Sequence, residues 1–162
     1  MLEWMLMPLK RYADFNGRSR RKEYWSFFLL NLIVSAVLLG PIYGVLIGNM
    51  SSVATADPGN FEAAAASGFQ YADHPIATGL AALGVLWALF TLVPNIAVTV
   101  RRLHDRDMSG WWYLGFIVAS LIPLVGILAG LALLVLMFLE GTKGPNRFGD
   151  DPKGAGTGDV FS

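Results

Sequence analysis

The sequence predicts an all-α integral membrane protein folded as a small helical bundle. Composition is the first reason: 54% of residues are hydrophobic and only 15% charged, against about 25% charged in an ordinary soluble chain. Second, the apolar residues gather in three long runs, 25–47, 76–100 and 111–139, each of membrane-spanning length or more. Third, all 12 Lys and Arg residues fall outside these runs: six before the first, three between the second and third, and three after the last. By the positive-inside rule, such clusters mark cytoplasmic segments. The expected address is a cytoplasmic membrane crossed several times, with the N-terminus inside.

The segment 1–24 carries Leu2, Met5, Leu6 and Leu9 at helical spacing, with Trp4 and Tyr12 beside them. A short amphipathic helix here either lies in the headgroup boundary or packs on the protein's own cytoplasmic face. Phe15-Asn16-Gly17-Arg18 is turn chemistry, and Ser19 is a candidate N-cap for the helix that follows. Arg20, Arg21 and Lys22 oppose the dipole at a helix start, so their presence points to orientation against anionic lipid. Tyr24 and Trp25 suit the interfacial aromatic belt.

The first run, 25–47, is about 35 Å of helix, enough to cross a hydrocarbon core of roughly 30 Å. It is too long for the apolar part of a signal peptide and no small-residue cleavage site follows, so it reads as a retained signal anchor. Asn31 and Ser35, four apart, are expected to face a neighbouring helix. The loop 48–75 has Asp57, Glu62 and Asp73 but no Lys or Arg, and belongs outside. A short helix is expected within it at 62–66.

The second crossing, 76–100, contains Pro94, which removes a backbone hydrogen bond and should kink the helix near its cytoplasmic end. Asn95 sits beside the kink. The pair is either a static packing feature or part of a gate. A tight cytoplasmic turn is expected at 101–110. The third run, 111–139, would be about 43 Å long as one helix, and Pro123 and Gly126 interrupt it. Two helices joined near 122–126 would make a hairpin, for four membrane helical segments in all. A single tilted helix would make three crossings. Lys143, Arg147 and Lys153 in the tail favour a cytoplasmic C-terminus, hence the hairpin. The Gly- and Pro-rich loop and tail occupy 140–162, with the last ten residues expected to be disordered.

Chemistry is sparse. The absence of cysteine excludes disulfides, thiolate metal sites and thiol catalysis. The net charge of zero gives no footprint for nucleic acid. The two histidines, His74 and His104, lie on opposite sides of the expected bilayer and cannot share a metal. His104 beside Asp105, with Ser109 near, invites a triad, but adjacent side chains diverge and no nucleophile elbow accompanies the serine. The residues Gly141-Thr142-Lys143-Gly144 lack Walker spacing and follow no strand. No ionisable residue lies deep in an apolar run, which argues against a proton-coupled pathway. No catalytic residue, cofactor or metal is expected, and no enzyme activity.

Three blocks carry a family resemblance. They are Phe15-x-Gly17-Arg18-x-x-Arg21-x-Glu23-Tyr24-Trp25, then Arg101-Arg102-Leu103-His104-Asp105-x-x-x-Ser109-Gly110-Trp111-Trp112, and finally Gly141-Thr142-x-Gly144-x-Asn146-Arg147-Phe148-Gly149-x-Asp151-Pro152. In this order, spaced by apolar runs, they resemble the domain of unknown function 805 family, the YhaH-like bacterial inner membrane proteins. The likeness spans residues 9–152. The external loop is longer than is usual there, and Asp150 stands where proline is common. The resemblance implies a bacterial cytoplasmic membrane location and no established activity.

With the C-terminus inside, the three blocks share one side of the bilayer and can assemble a polar cap. Arg18, Arg21, Arg101 and Arg102 are expected to face Glu23, Asp105 and Asp151, with His104, Ser109, Trp111 and Asn146 around them. The expected function is structural or interactive, the cap binding anionic lipid headgroups or another membrane protein. The alternative is a small channel or transporter subunit built on Pro94 and Asn95. Oligomeric state is not readable.

Overall fold

The structure is a computed structural model describing residues 2–55, 57–60, 62 and 73–154. Residues 63–66 of the expected helix at 62–66 and most of the expected disordered tail lie outside these. Among the described residues five α-helices follow in order: α1 (Leu2–Lys10), α2 (Arg21–Ala54), α3 (Pro75–His104), α4 (Trp111–Ser120) and α5 (Val125–Phe138). Among the described residues there is no strand, only one isolated bridge between Asn146 and Gly149. The chain divides into two compact units, one of residues 1–29 with 92–162, the other of residues 30–91.

Helices α2 and α3 are long and apolar enough to cross a membrane. At 34 and 30 residues they measure about 51 and 45 Å, more than the roughly 30 Å core requires. Both outrun their expected bounds. α2 continues past residue 47 to Ala54, and the Ser51 hydroxyl donates back to the Gly48 carbonyl at 2.7 Å. It starts at Arg21 and not behind a Ser19 cap. The Ser19 hydroxyl is buried without a partner, its amide bonds to the Arg101 carbonyl at 3.1 Å, and the Arg20 carbonyl accepts the first helical bond, from Tyr24.

α3 likewise absorbs the start of the expected 101–110 turn. Arg101, Arg102 and His104 form its last turn, where cations complement the helix dipole. The helix ends because Asp107 adopts φ 58°. Its amide bonds to the His104 carbonyl while the Met108 amide reaches Leu103. That is a Schellman ending with aspartate in the position glycine usually takes. α3 runs unbroken through Pro94, which is fully buried.

The third run is two helices. α4 and α5, 10 and 14 residues long, pack on each other and are only about 15 and 21 Å in length. Pro123 has no amide to continue α4 and disfavours a helical Ile122. Leu124 then turns the chain at φ 67°. A Cβ at Gly126 would lie 2.8 Å from the Ser120 carbonyl oxygen, so this close reversal needs glycine. The outward faces are greasy: Ile117, Val118, Leu128, Leu131 and Val135 are all exposed. Such a surface is untenable in water and ordinary against lipid tails.

Candidate functional site

The residues from the three sequence blocks meet in the first unit, and Asp105 is the hub. Its carboxylate takes Arg18 on one oxygen, from Nε at 3.0 Å and Nη2 at 2.9 Å, and Arg102 on the other. Its backbone carbonyl accepts the Thr142 amide at 2.8 Å and the Thr142 hydroxyl at 3.2 Å. A Cβ on Gly141 would run into this carboxylate, which is why the tail passes here as Gly-Thr.

Each buried guanidinium ties the ends of elements together. Arg18 also donates to the carbonyls of Thr142, Gly144 and Gly149. Arg102 donates to the Met137 and Leu139 carbonyls, satisfying groups that the end of α5 leaves unpaired. Arg101 pairs with Glu23 at 2.9 Å across α3 and α2, leaving its Nε and Nη1 buried without a partner. Arg101 and Arg102 are 0% exposed and Arg18 is 6% exposed. Planar forks with five fixed donors suit such sites better than lysine would.

Two expected pairings are corrected. Arg21 faces neither Glu23, Asp105 nor Asp151; it lies at the surface, bound to Glu140 at 2.5 Å and to the Phe138 carbonyl at 3.2 Å. Asp151 meets backbone instead of arginine, accepting the Gly144 amide at 3.1 Å and the Lys153 amide at 2.9 Å. Those two amides hold its carboxyl below the usual carboxylate range. Glu140 titrates low as well, chiefly through its hydrogen bond from Lys153 and then the charges of Lys153 and Arg21.

His104 and Asp105 do not form a dyad. The His104 Nδ1 lies 3.2 Å from the Gly17 carbonyl, and its ring stacks on Phe148 at 3.9 Å and 3°. Gly17 holds φ 77°, the left-handed turn that presents this carbonyl. Asn146 bridges the His104 carbonyl (2.9 Å) and the Thr142 hydroxyl (3.0 Å). Arg147 grips Asp107. Ser109 accepts the Trp111 amide at 3.4 Å, and Trp111 is 78% exposed.

Trp25, expected in the interfacial belt, makes aromatic contacts within the protein. Its ring packs 4.2 Å from Phe138 at the end of α5, edge-on to Tyr24 and Phe28. Pro94 and Asn95 stand apart from the cap residues in sequence; the Asn95 carbonyl accepts the Thr99 hydroxyl at 2.7 Å. α1 divides its face: Leu2 and Leu6 are exposed, Pro8 is buried, and Trp4 underlies the Arg20 guanidinium at 5.7 Å. Among the described residues no three His, Asp or Glu side chains gather as a metal-ligand set.

Sequence reasoning singled out most of these residues but missed Glu140, Thr142, Gly17 and Phe148 as participants. The last three stood inside the quoted blocks. Glu140, the one acid directly after a long apolar run, carried a signal that was available.

Comparison with known proteins identifies the family. The chain is 37% identical to "Inner membrane protein YhaI" of Escherichia coli (strain K12) over 152 residues, covering 94% of this chain and 97% of that protein. It is 38% identical to "Inner membrane protein YhaH" of the same strain over 152 residues, covering 94% and 98%. No solved structure matches. The profile of the family described as "Protein of unknown function (DUF805)" matches residues 12–150, a span holding nearly all of the cap, and the chain belongs to that family of inner membrane proteins.

Proposed function

We propose that the chain is a structural or interaction protein of the bacterial cytoplasmic membrane, not an enzyme. Its two ends and the turn after α3 lie on the cytoplasmic face, and its cap docks on anionic lipid headgroups. The observation that supports this is a division among the cations. Arg18, Arg101 and Arg102 are buried on the protein's own carboxylates and carbonyls. Lys10, Lys22 and Lys143 are exposed, with no carboxylate partner among the described residues, and Arg20 rests over Trp4. Lipid contact therefore falls to Lys10, Arg20, Lys22 and Lys143. The buried arginines build the platform.

Each cation near an anionic surface is worth about 1 kcal/mol. Changing Lys10, Arg20, Lys22 and Lys143 to Gln should lower the anionic-lipid enrichment of purified protein by about tenfold or more. The buried network is untouched, so folding serves as the internal control. Unchanged enrichment in a folded quadruple variant would refute the reading.

A further inference from the structure

One cleft in the cap differs from the rest. It is lined by Phe15, Val100, His104, Ser109, Gly110 and Trp111, and no Lys or Arg lines it, although the cap holds nearly every cation in the chain. We propose that this cleft seats the ammonium of an aminophospholipid headgroup, the phosphatidylethanolamine class; this rests on the reading that the cap lies at the bilayer surface.

The argument starts from the imidazole. A carbonyl only accepts, so the Nδ1 facing Gly17 carries the proton and the neutral ring keeps a lone pair on Nε2. Phe148 clamps the ring from one face, so this lone pair has a fixed direction. Nε2 lies beside Gly110 on the cleft lining, where an added Cβ would sit 3.5 Å from it. Among the described residues Nε2 has no hydrogen-bond partner. A fixed acceptor at the mouth of a cleft calls for a donor.

The walls narrow the choice. Phe15 and Trp111, both exposed, offer π faces that attract a cation. The nearest arginine in sequence to the clamp, Arg147, pairs with Asp107 and lies over the Phe148 ring, outside the cleft lining. Ser109 spends its oxygen on the Trp111 amide, leaving its proton to donate to a phosphate oxygen. Acceptor, π faces and hydroxyl donor together match an ammonium tethered to a phosphate. Val100 closes the apolar run of α3, so the cleft opens at headgroup depth. A choline headgroup has the charge but no N–H, and a glycerol headgroup has donors but no cation.

The test uses the full chain in nanodiscs of phosphatidylcholine alone, with added phosphatidylethanolamine, or with added phosphatidylglycerol. His74→Gln leaves His104 as the single imidazole signal in nitrogen NMR. The Nε2 resonance should move with phosphatidylethanolamine and hold still with the other two. Native mass spectrometry should show His104→Phe, which keeps the stack but lacks the acceptor, losing its phosphatidylethanolamine preference by about tenfold, the worth of one charge-assisted hydrogen bond. Ser109→Ala and Trp111→Leu, both away from the clamp, should weaken it in a chain whose fold is not at issue. An Nε2 resonance indifferent to phosphatidylethanolamine overturns the proposal, as does an equal response to phosphatidylcholine. So does the same shift from soluble phosphoethanolamine, which would remove the lipid as the source. Anionic-lipid enrichment measured on the same samples reports separately on the cap as a docking surface.

Discussion

Asp105→Asn is the sharpest test of how the cap is held. The substitution preserves shape and removes one negative charge shared by two buried guanidinium groups, Arg18 and Arg102. Both side chains are essentially out of solvent, at 1% and 0%, so neither can recover water without the cap opening. Leaving one buried charge unpaired costs about 3–5 kcal/mol. Two are stranded here, although Arg18 and Arg102 keep backbone carbonyl partners that temper the loss. A destabilisation of about 3–5 kcal/mol is therefore expected, lowering Tm by roughly 6–20 °C at 2–4 °C per kcal/mol. Thermal unfolding in detergent micelles, followed by near-UV circular dichroism, reads the loss. Limited proteolysis at residues 143–153 reads release of the tail, whose Thr142 and Gly144 are tied to this centre. Unchanged Tm together with unchanged protection of the tail would refute the hub.

Other expectations follow from the same contacts. Because the chain lacks cysteine, single replacements report topology cleanly: Leu124→Cys at the tip of the short hairpin should resist an impermeant maleimide from outside while Gly59→Cys reacts, and equal labelling would refute a tip that stops within the bilayer. Gly141→Ala, whose methyl collides with the Asp105 carboxylate, should free the tail to protease without abolishing membrane insertion; full protection would mean the close approach is not needed. Glu140 and Asp151 have lowered folded pKa values, so their contribution is present above the ordinary carboxylate range near pH 4 and fades as pH falls through the lower folded values. Protection of the 140–154 amides, taken relative to the intrinsic exchange rate at each pH, should fall below that point and hold level between pH 5 and 8, and Asp151→Asn should flatten the response.

Sequence pattern revealed the apolar runs, the break in the third, and the meeting of the three polar blocks, because hydropathy and proline act locally. Helix ends were less legible. Arg101, Arg102 and His104 look like a boundary when charge is taken to mean surface, yet they are helical, and the stop comes from Asp107 in a left-handed conformation no glycine announces. Pairing inside the cap was only partly readable. Charge alone cannot say that Arg21 reaches Glu140 while Asp151 serves backbone amides, since both depend on where α5 delivers the chain. Nor could residue type say that the end of α5 brings Phe138 onto Trp25. The arginines best matched to phosphate by chemistry proved to be the ones least able to meet it.

Arg18 and the Thr142 carbonyl it binds are separated by 124 positions. At about 5–20 residues per second of synthesis, the partner emerges roughly 6–25 s after the arginine does. Asp105, 87 positions away, emerges earlier, so the guanidinium gains its carboxylate first and is sealed in only when the tail arrives. The mortar thus sets in two stages, and a polypeptide cut short after α3 would keep the ion pair with Asp105 but lack the Thr142 carbonyl that completes the seal.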